Sequence, residues 1–136
     1  MPFTAEEAEI IIIPAPWEVT VSYGGGTADG PQAVFEASFQ VDLYDPFVRD
    51  AWKKGIFMEE IDEELKNKSI TLRKISEAYI ETLCKGEKKV DDAEMLATRK
   101  KINEACKELN VWVKSKAMHY LNKNKVVGLL GGDHST

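Results

Sequence analysis

The chain has 136 residues, of which 43% are hydrophobic and 30% charged. This composition is typical of one globular domain, here 1–136, and excludes a disordered chain. The net charge of −5 argues against nucleic acid or an anionic membrane as a partner. The longest uninterrupted apolar run, Ile10–Ile13, is too short to cross a bilayer, which takes about 20 residues. Because the N-terminus is acidic where a signal or transit peptide is basic, we expect a cytoplasmic protein.

The first part of the chain predicts two strands that flank a glycine loop and a short helix. The β-branched run over 9–13 predicts a strand buried on both faces of a parallel sheet. The glycine-rich stretch 22–30 predicts a loop, and the Gly-Pro pair at its end predicts a helix over 31–38 with Val34 buried. A second strand is predicted over 39–44. The pattern from there to residue 68 is mixed.

The rest of the chain predicts two helices and a last strand. Helical spacing places four side chains on one face of a helix from Thr71 to Gly86: Leu72, Ile75, Tyr79 and Leu83. Asp91 and Glu94 resemble a capping box at the start of a longer helix that reaches about Asn122. A strand is predicted over 126–130. The order of these elements predicts an α/β fold with a mainly parallel sheet.

The residues best suited to bind a ligand or a metal follow that last strand. Gly131 and Gly132 permit a sharp turn, and Asp133 and His134 come directly after them. Ligand sites of open α/β sheets lie beyond the carboxyl ends of strands, and an imidazole beside a carboxylate is a typical transition-metal ligand. The alternative is a glycine turn followed by a solvent-exposed histidine. His119, inside the long predicted helix, is interpreted as a helix-surface or partly buried residue.

Three segments together resemble the ureohydrolase family, which contains arginase, agmatinase and related hydrolases of guanidino compounds. They are residues 13–23 (IPAPWEVTVSY), residues 26–34 (GTADGPQAV) and residues 127–135 (VGLLGGDHS). The third is the most specific, because it is similar to the strand that carries the family's first metal-ligand motif. The resemblance implies a three-layer α/β/α fold, of which this chain would be the incomplete, N-terminal portion.

The resemblance also implies a reaction. Members of the family bind two manganese ions that share a bridging hydroxide, and this hydroxide attacks the guanidinium carbon to release urea and an amine. Coordination to the metals brings the pKa of water toward neutrality. By match to the motif, His134 would bind a metal, and Asp133 would be a neighbouring acid that supports the ligands. The loop over 19–24 looks closer to agmatinases than to arginases, so agmatine is the favoured guanidino substrate.

The chain also departs from the family pattern. The later Asp-x-His-x-Asp and Asp-x-Asp motifs, and the downstream catalytic His and Glu, are absent from these 136 residues. We therefore expect the N-terminal fragment of a ureohydrolase, inactive alone and without a catalytic residue of its own. The alternative is a complete, non-catalytic binding or assembly module. Because the strands over 10–13 and 126–130 would lack partners, we expect a homo-oligomer, with the sheet edge or the helix carrying Trp112 at a contact.

Overall fold

The computed structural model describes residues 2–21, 24–42, 44–86 and 92–134. Strands and helices alternate along this part of the chain as the sequence predicts, and the α/β class is confirmed. The elements are strand β1 (Ile10–Ala15), helix α1 (Gly30–Ala37), strand β2 (Ile56–Met58), helix α2 (Glu63–Lys85), helix α3 (Ala93–Leu121) and strand β3 (Val126–Gly131). Short 3₁₀ turns lie at Thr27–Asp29, Ser38–Gln40 and Ala51–Lys54.

The three strands form a parallel sheet in the order β2-β1-β3. β1 is central, and its Ile12 is paired with Met58 on one side and Gly128 on the other. This position explains the continuous β-branched run, because a central parallel strand is covered on both faces. The expectation that this strand lacks partners is therefore wrong. The expected strand at 126–130 is confirmed, with β3 as one edge of the sheet.

The predicted strand over 39–44 is wrong. Ser38–Gln40 is a 3₁₀ turn, and the described residues that follow it have no strand partner. Phe39 and Tyr44 are 68% and 78% exposed, whereas Leu43 lies outside the described residues. The position beside β1 is taken instead by β2, from the stretch where the sequence showed no clear pattern. With only three residues, β2 is too short to be recognised by alternation of apolar residues.

α2 begins at Glu63 and not at Thr71 as the apolar spacing predicted. The side chain of Asp62 accepts a hydrogen bond from the backbone N–H of Leu65 at 2.9 Å, which is the usual N-cap interaction. The helix ends where the sequence predicted, because Gly86 adopts the left-handed conformation with φ 67°. The first two turns of α2 are mostly polar, so they show no apolar periodicity from which its start could be predicted.

α3 begins one residue later than a cap at position 91 would place it. Asp92 is the N-cap, and its side chain accepts a hydrogen bond from the backbone N–H of Glu94 at 3.0 Å. Asp91 lies outside the described residues. The helix ends at Leu121, in agreement with the prediction.

Two apolar clusters share Trp112 of α3 at their boundary. The first joins the segment after β1 to α2 and α3, and its buried members are Trp17, Val19, Leu72, Ile102, Ala105 and Leu109. The second packs α3 on the sheet, and its buried members are Ala8, Ile11, Ile13 and Tyr120. On α2, Leu72 and Ile75 of the predicted apolar face join the first cluster. Val34 is 50% exposed, so its expected burial on α1 is wrong.

Candidate functional site

Three connecting segments meet beyond the carboxyl ends of β1 and β3. They are the segment over 16–21 that follows β1, the glycine loop over 24–29 that precedes α1, and the turn over 132–134 that follows β3. The backbone N–H of Asp133 donates a hydrogen bond to the carbonyl oxygen of Trp17 at 2.9 Å. The turn after β3 is thereby attached to the segment after β1, at the edge where α/β sheets bind ligands.

The carboxylate of Asp133 is buried and points to Thr20. Its Oδ2 accepts hydrogen bonds from the backbone N–H of Thr20 at 2.7 Å and from the Thr20 hydroxyl at 3.0 Å. Both donors come from one residue and converge on one charged oxygen, which makes this a strong and directional contact. Asp133 therefore links the ends of two neighbouring strands.

Gly132 lies against the segment after β1 with no space for a side chain. A Cβ atom at this position would stand 2.0 Å from the carbonyl oxygen of Trp17 and 3.2 Å from that of Thr27. The constraint comes from backbone atoms of two segments, which cannot rotate away. Glycine is therefore required here by the close approach of the three segments.

The glycine loop is held by Glu18. One carboxylate oxygen of Glu18 accepts hydrogen bonds from the backbone N–H groups of Gly26 and Ala28 at 2.7 and 3.1 Å, and from the Thr27 hydroxyl at 3.4 Å. Backbone N–H groups at such a turn are the donors that bind phosphate in other proteins. Here a carboxylate of the chain itself occupies them, so this loop is part of the scaffold.

Helix α2 also holds the segment after β1, through three hydrogen bonds to its backbone. Ser69 accepts a hydrogen bond from the backbone N–H of Glu18 at 3.0 Å. The Ser76 hydroxyl donates to the carbonyl oxygen of Val19, and the Arg73 guanidinium donates to that of Val21. The sequence interpretation missed these contacts. Their signal was a pair of serines one heptad apart on the face of the helix that buries Leu72.

His134 lies at the exposed end of the turn. Its imidazole can supply one metal ligand, and the neighbouring carboxylate of Asp133 is already engaged by Thr20. Within the described ranges, no three His, Cys, Asp or Glu side chains cluster closely enough to hold a metal ion. His119 is on the exposed surface of α3, as expected, with Nε2 at 2.9 Å from the Lys123 amine. The structure brings Asp133 to the segment after β1 and leaves His134 exposed at the end of the turn.

No helix in the part of the chain that the structure describes is both long enough and apolar enough to cross a membrane. The parallel sheet and the convergence of loops at its carboxyl edge define an α/β protein whose candidate ligand site follows β3. The chain belongs to the arginase family, whose sequence profile matches residues 8–136. The resemblance seen in the three sequence segments is thus confirmed for the family and for the fold.

A curated relative agrees with this assignment. The N(1)-aminopropylagmatine ureohydrolase of Synechocystis sp. (strain ATCC 27184 / PCC 6803 / Kazusa) is 46% identical over 39 residues. The matched stretch is 29% of this chain and 13% of the relative, so the similarity covers a small part of that protein. No solved structure shows a significant match.

Proposed function

We propose that this chain is the N-terminal part of a metal-dependent ureohydrolase, which cleaves a small guanidino compound to urea and an amine. The observation that carries the proposal is the Gly-Gly-Asp-His turn at the carboxyl edge of the sheet, in a chain that belongs to the arginase family. Agmatine is the first candidate substrate. The name of the relative suggests an aminopropyl derivative of agmatine as a second candidate substrate. Arginine is the third candidate.

In this proposal His134 binds one of two manganese ions, and Asp133 supports the turn from which His134 projects. Manganese, when bound, supplies a water of lowered pKa as the nucleophile. The fit to the described residues is partial, because an exposed imidazole provides one ligand and no other His, Cys, Asp or Glu pair stands near enough to complete a set. The remaining ligands and the proton-transfer groups are therefore assigned to no residue over 2–134.

These 136 residues are proposed to be inactive by themselves, because one imidazole does not assemble a dinuclear site. The test is urea release from agmatine, N(1)-aminopropylagmatine and arginine, each with added Mn²⁺ and with a blank that lacks protein. Urea above the blank would contradict the proposed inactivity.

The coding sequence beyond Thr136 separates the two functional hypotheses. An in-frame continuation with an Asp-x-His-x-Asp motif supports the ureohydrolase, and activity of that longer protein should be lost in His134→Ala. A stop directly after Thr136 would instead support a non-catalytic binding or assembly module.

We also propose that the chain self-associates through the outer edge of β3. Within the described residues this edge has no strand partner, and Val126 and Leu129 are 63% and 43% exposed. Unpaired strand edges with apolar side chains pair with other chains. Light scattering at low micromolar concentration should give a mass above 15.3 kDa, and a monodisperse monomer would contradict self-association.

A cytoplasmic location remains a prediction from the acidic N-terminus.

A further inference from the structure

We propose that Thr20 is a positioning residue for the turn that carries His134. Its hydroxyl and backbone N–H hold Asp133, and Asp133 in turn determines where His134 stands at the carboxyl edge of the sheet. This inference rests on the proposed function, in which His134 binds a metal. It assigns a role to a residue that lies 113 positions away from Asp133 in the sequence.

The contact between Thr20 and Asp133 is directional. The two Thr20 donors reach the same oxygen, Oδ2, at 2.7 and 3.0 Å, and the acceptor carboxylate is buried with a residue exposure of 9%. Hydrogen bonds to a charged group are roughly twice as strong as neutral ones. Two of them from one residue restrict both the position and the rotation of the carboxylate.

Helix α2 holds the segment that contains Thr20. The backbone on either side of it is bound to α2, because Ser76 donates to the carbonyl oxygen of Val19 and Arg73 donates to that of Val21. Ser69, from the same helix, accepts from the backbone N–H of Glu18 at 3.0 Å. The segment is thus bound to α2 at three residues. It provides a fixed position to which the turn after β3 is attached.

The side chain of His134 does not fix the turn that carries it, because it is exposed. The backbone of the turn is held as far as Asp133: Gly132 lies against the segment after β1, and the Asp133 N–H donates to Trp17 at 2.9 Å. The Asp133 carboxylate on Thr20 is the side-chain contact directly before His134. We therefore expect this contact to influence where His134 stands.

The experiment compares Thr20→Val, Thr20→Ser and Thr71→Val by NMR on the full 136-residue chain. Valine removes the hydroxyl and keeps the volume and the backbone donor, whereas serine keeps the hydroxyl. Thr20 is exposed, so the replacement creates no cavity. Thr71 is the matched control, because among the described residues its hydroxyl bonds only the carbonyl oxygen of Asn67 in its own helix, at 3.0 Å. Thr20→Ala provides a second hydroxyl deletion that adds no apolar surface.

The primary measurement is amide hydrogen exchange of Asp133, with the amide of Ile12 in the central strand as the internal reference for global stability. We expect Thr20→Val and Thr20→Ala to accelerate exchange at Asp133 by about tenfold relative to Ile12. Thr20→Ser should remain near the wild-type rate, and Thr71→Val should change nothing at Asp133. Unchanged exchange at Asp133 in both hydroxyl deletions would overturn the proposal.

A second measurement addresses His134 itself, with Mn²⁺ alone as the probe. In the wild-type chain, added Mn²⁺ should broaden the imidazole signals of His134 more than those of His119, and Thr20→Val should reduce that difference while Thr20→Ser restores it. Equal broadening of His134 in the wild type and in Thr20→Val would overturn the positioning role. If His134 and His119 broaden equally in the wild type, the proposed ligand role fails, and the exchange data still decide the role of Thr20.

Discussion

The phenol hydroxyl of Tyr120 donates a hydrogen bond to Oε1 of Glu59 at 2.6 Å. Glu59 follows β2 directly, and Tyr120 lies in the last turn of α3. The second oxygen of the same carboxylate accepts from the Lys116 amine at 2.9 Å. Both oxygens are therefore satisfied by α3, and the side chain of Glu59 is only 14% exposed. This contact fastens the short edge strand β2 to the helix that covers the sheet.

Tyr120→Phe should destabilise the fold by about 1–2 kcal/mol, because it removes a hydrogen bond to a charged and largely buried group. Urea denaturation followed by circular dichroism measures the free energy of unfolding. Tyr79→Phe in α2 is the matched control, since the Tyr79 hydroxyl makes no hydrogen bond within the described residues, and it should change the free energy by less than about 0.5 kcal/mol. Equal effects of the two substitutions would show that the Glu59 contact contributes nothing.

The same contact predicts a loss of stability at high pH. Burial, followed by the hydrogen bond to Glu59 and its charge, raises the pKa of Tyr120 to about 12 from its usual 10.0. Between these values the unfolded chain releases the phenolic proton and the folded chain retains it, so the contribution is complete below pH 10 and is lost as the pH rises toward 12. The advantage of the wild type over Tyr120→Phe should shrink by on the order of 2 kcal/mol across this range.

Urea unfolding of both proteins at pH 9 and pH 11.5 measures this change. The other tyrosines and the lysines titrate in both chains, so their effects cancel in the difference between wild type and variant. A difference that stays constant between the two pH values would contradict the raised pKa of Tyr120.

The acidic stretch around Glu59 shows why part of the fold was not predictable. The acidic run over 59–64 has the composition of a solvated surface, yet the side chain of Glu59 is only 14% exposed. A charged side chain is rarely buried without a partner, and the partners of Glu59, Lys116 and Tyr120, lie 57 and 61 positions away in the sequence. Local periodicity carries no information about such contacts, whereas it does identify the face of α2 that carries Leu72 and Ile75.

The candidate site likewise has features that the sequence predicts and features that it does not. The Gly-Gly-Asp-His turn and its place after a strand were predictable, because strand and glycine signals are local. The partner of Asp133 was not predictable, since Thr20 becomes its neighbour only when β3 pairs with β1. The edge strand β2 was missed for a related reason: it is three residues long and is selected by pairing with Ile10–Ile12 and not by its own propensity.

Glu18→Gln should loosen the glycine loop without unfolding the protein. The Glu18 carboxylate accepts from the backbone N–H groups of Gly26 and Ala28 at 2.7 and 3.1 Å, and the neutral amide is a weaker acceptor. Amide exchange at both positions should rise by about tenfold. Glu36→Gln is the control, because in the part of the chain that the structure describes this carboxylate accepts only from the Gln32 amide on the exposed surface of α1, at 2.8 Å. Exchange at Gly26 and Ala28 that is the same in both variants would contradict the role of Glu18.

Gly132→Ala should destabilise the protein by on the order of 3 kcal/mol, because a Cβ at this position would stand 2.0 Å from the Trp17 carbonyl oxygen and the backbone of both segments would have to separate. The same displacement would stretch the hydrogen bond from the Asp133 amide to Trp17, now 2.9 Å long.

Gly30→Ala is the matched control for this substitution. A Cβ there meets no atom within 4 Å outside its two chain neighbours, and Gly30 has helical angles, with φ −52° and ψ −47°. Because Pro31 follows and disfavours helical angles at a residue with a Cβ, alanine should cost about 1 kcal/mol or less, well below the cost expected for Gly132→Ala. Urea denaturation of the two variants gives the comparison. If Gly132→Ala unfolds at the same urea concentration as the wild type, the close approach of β3 to the segment after β1 is refuted, and with it the arrangement that brings Asp133 to Thr20.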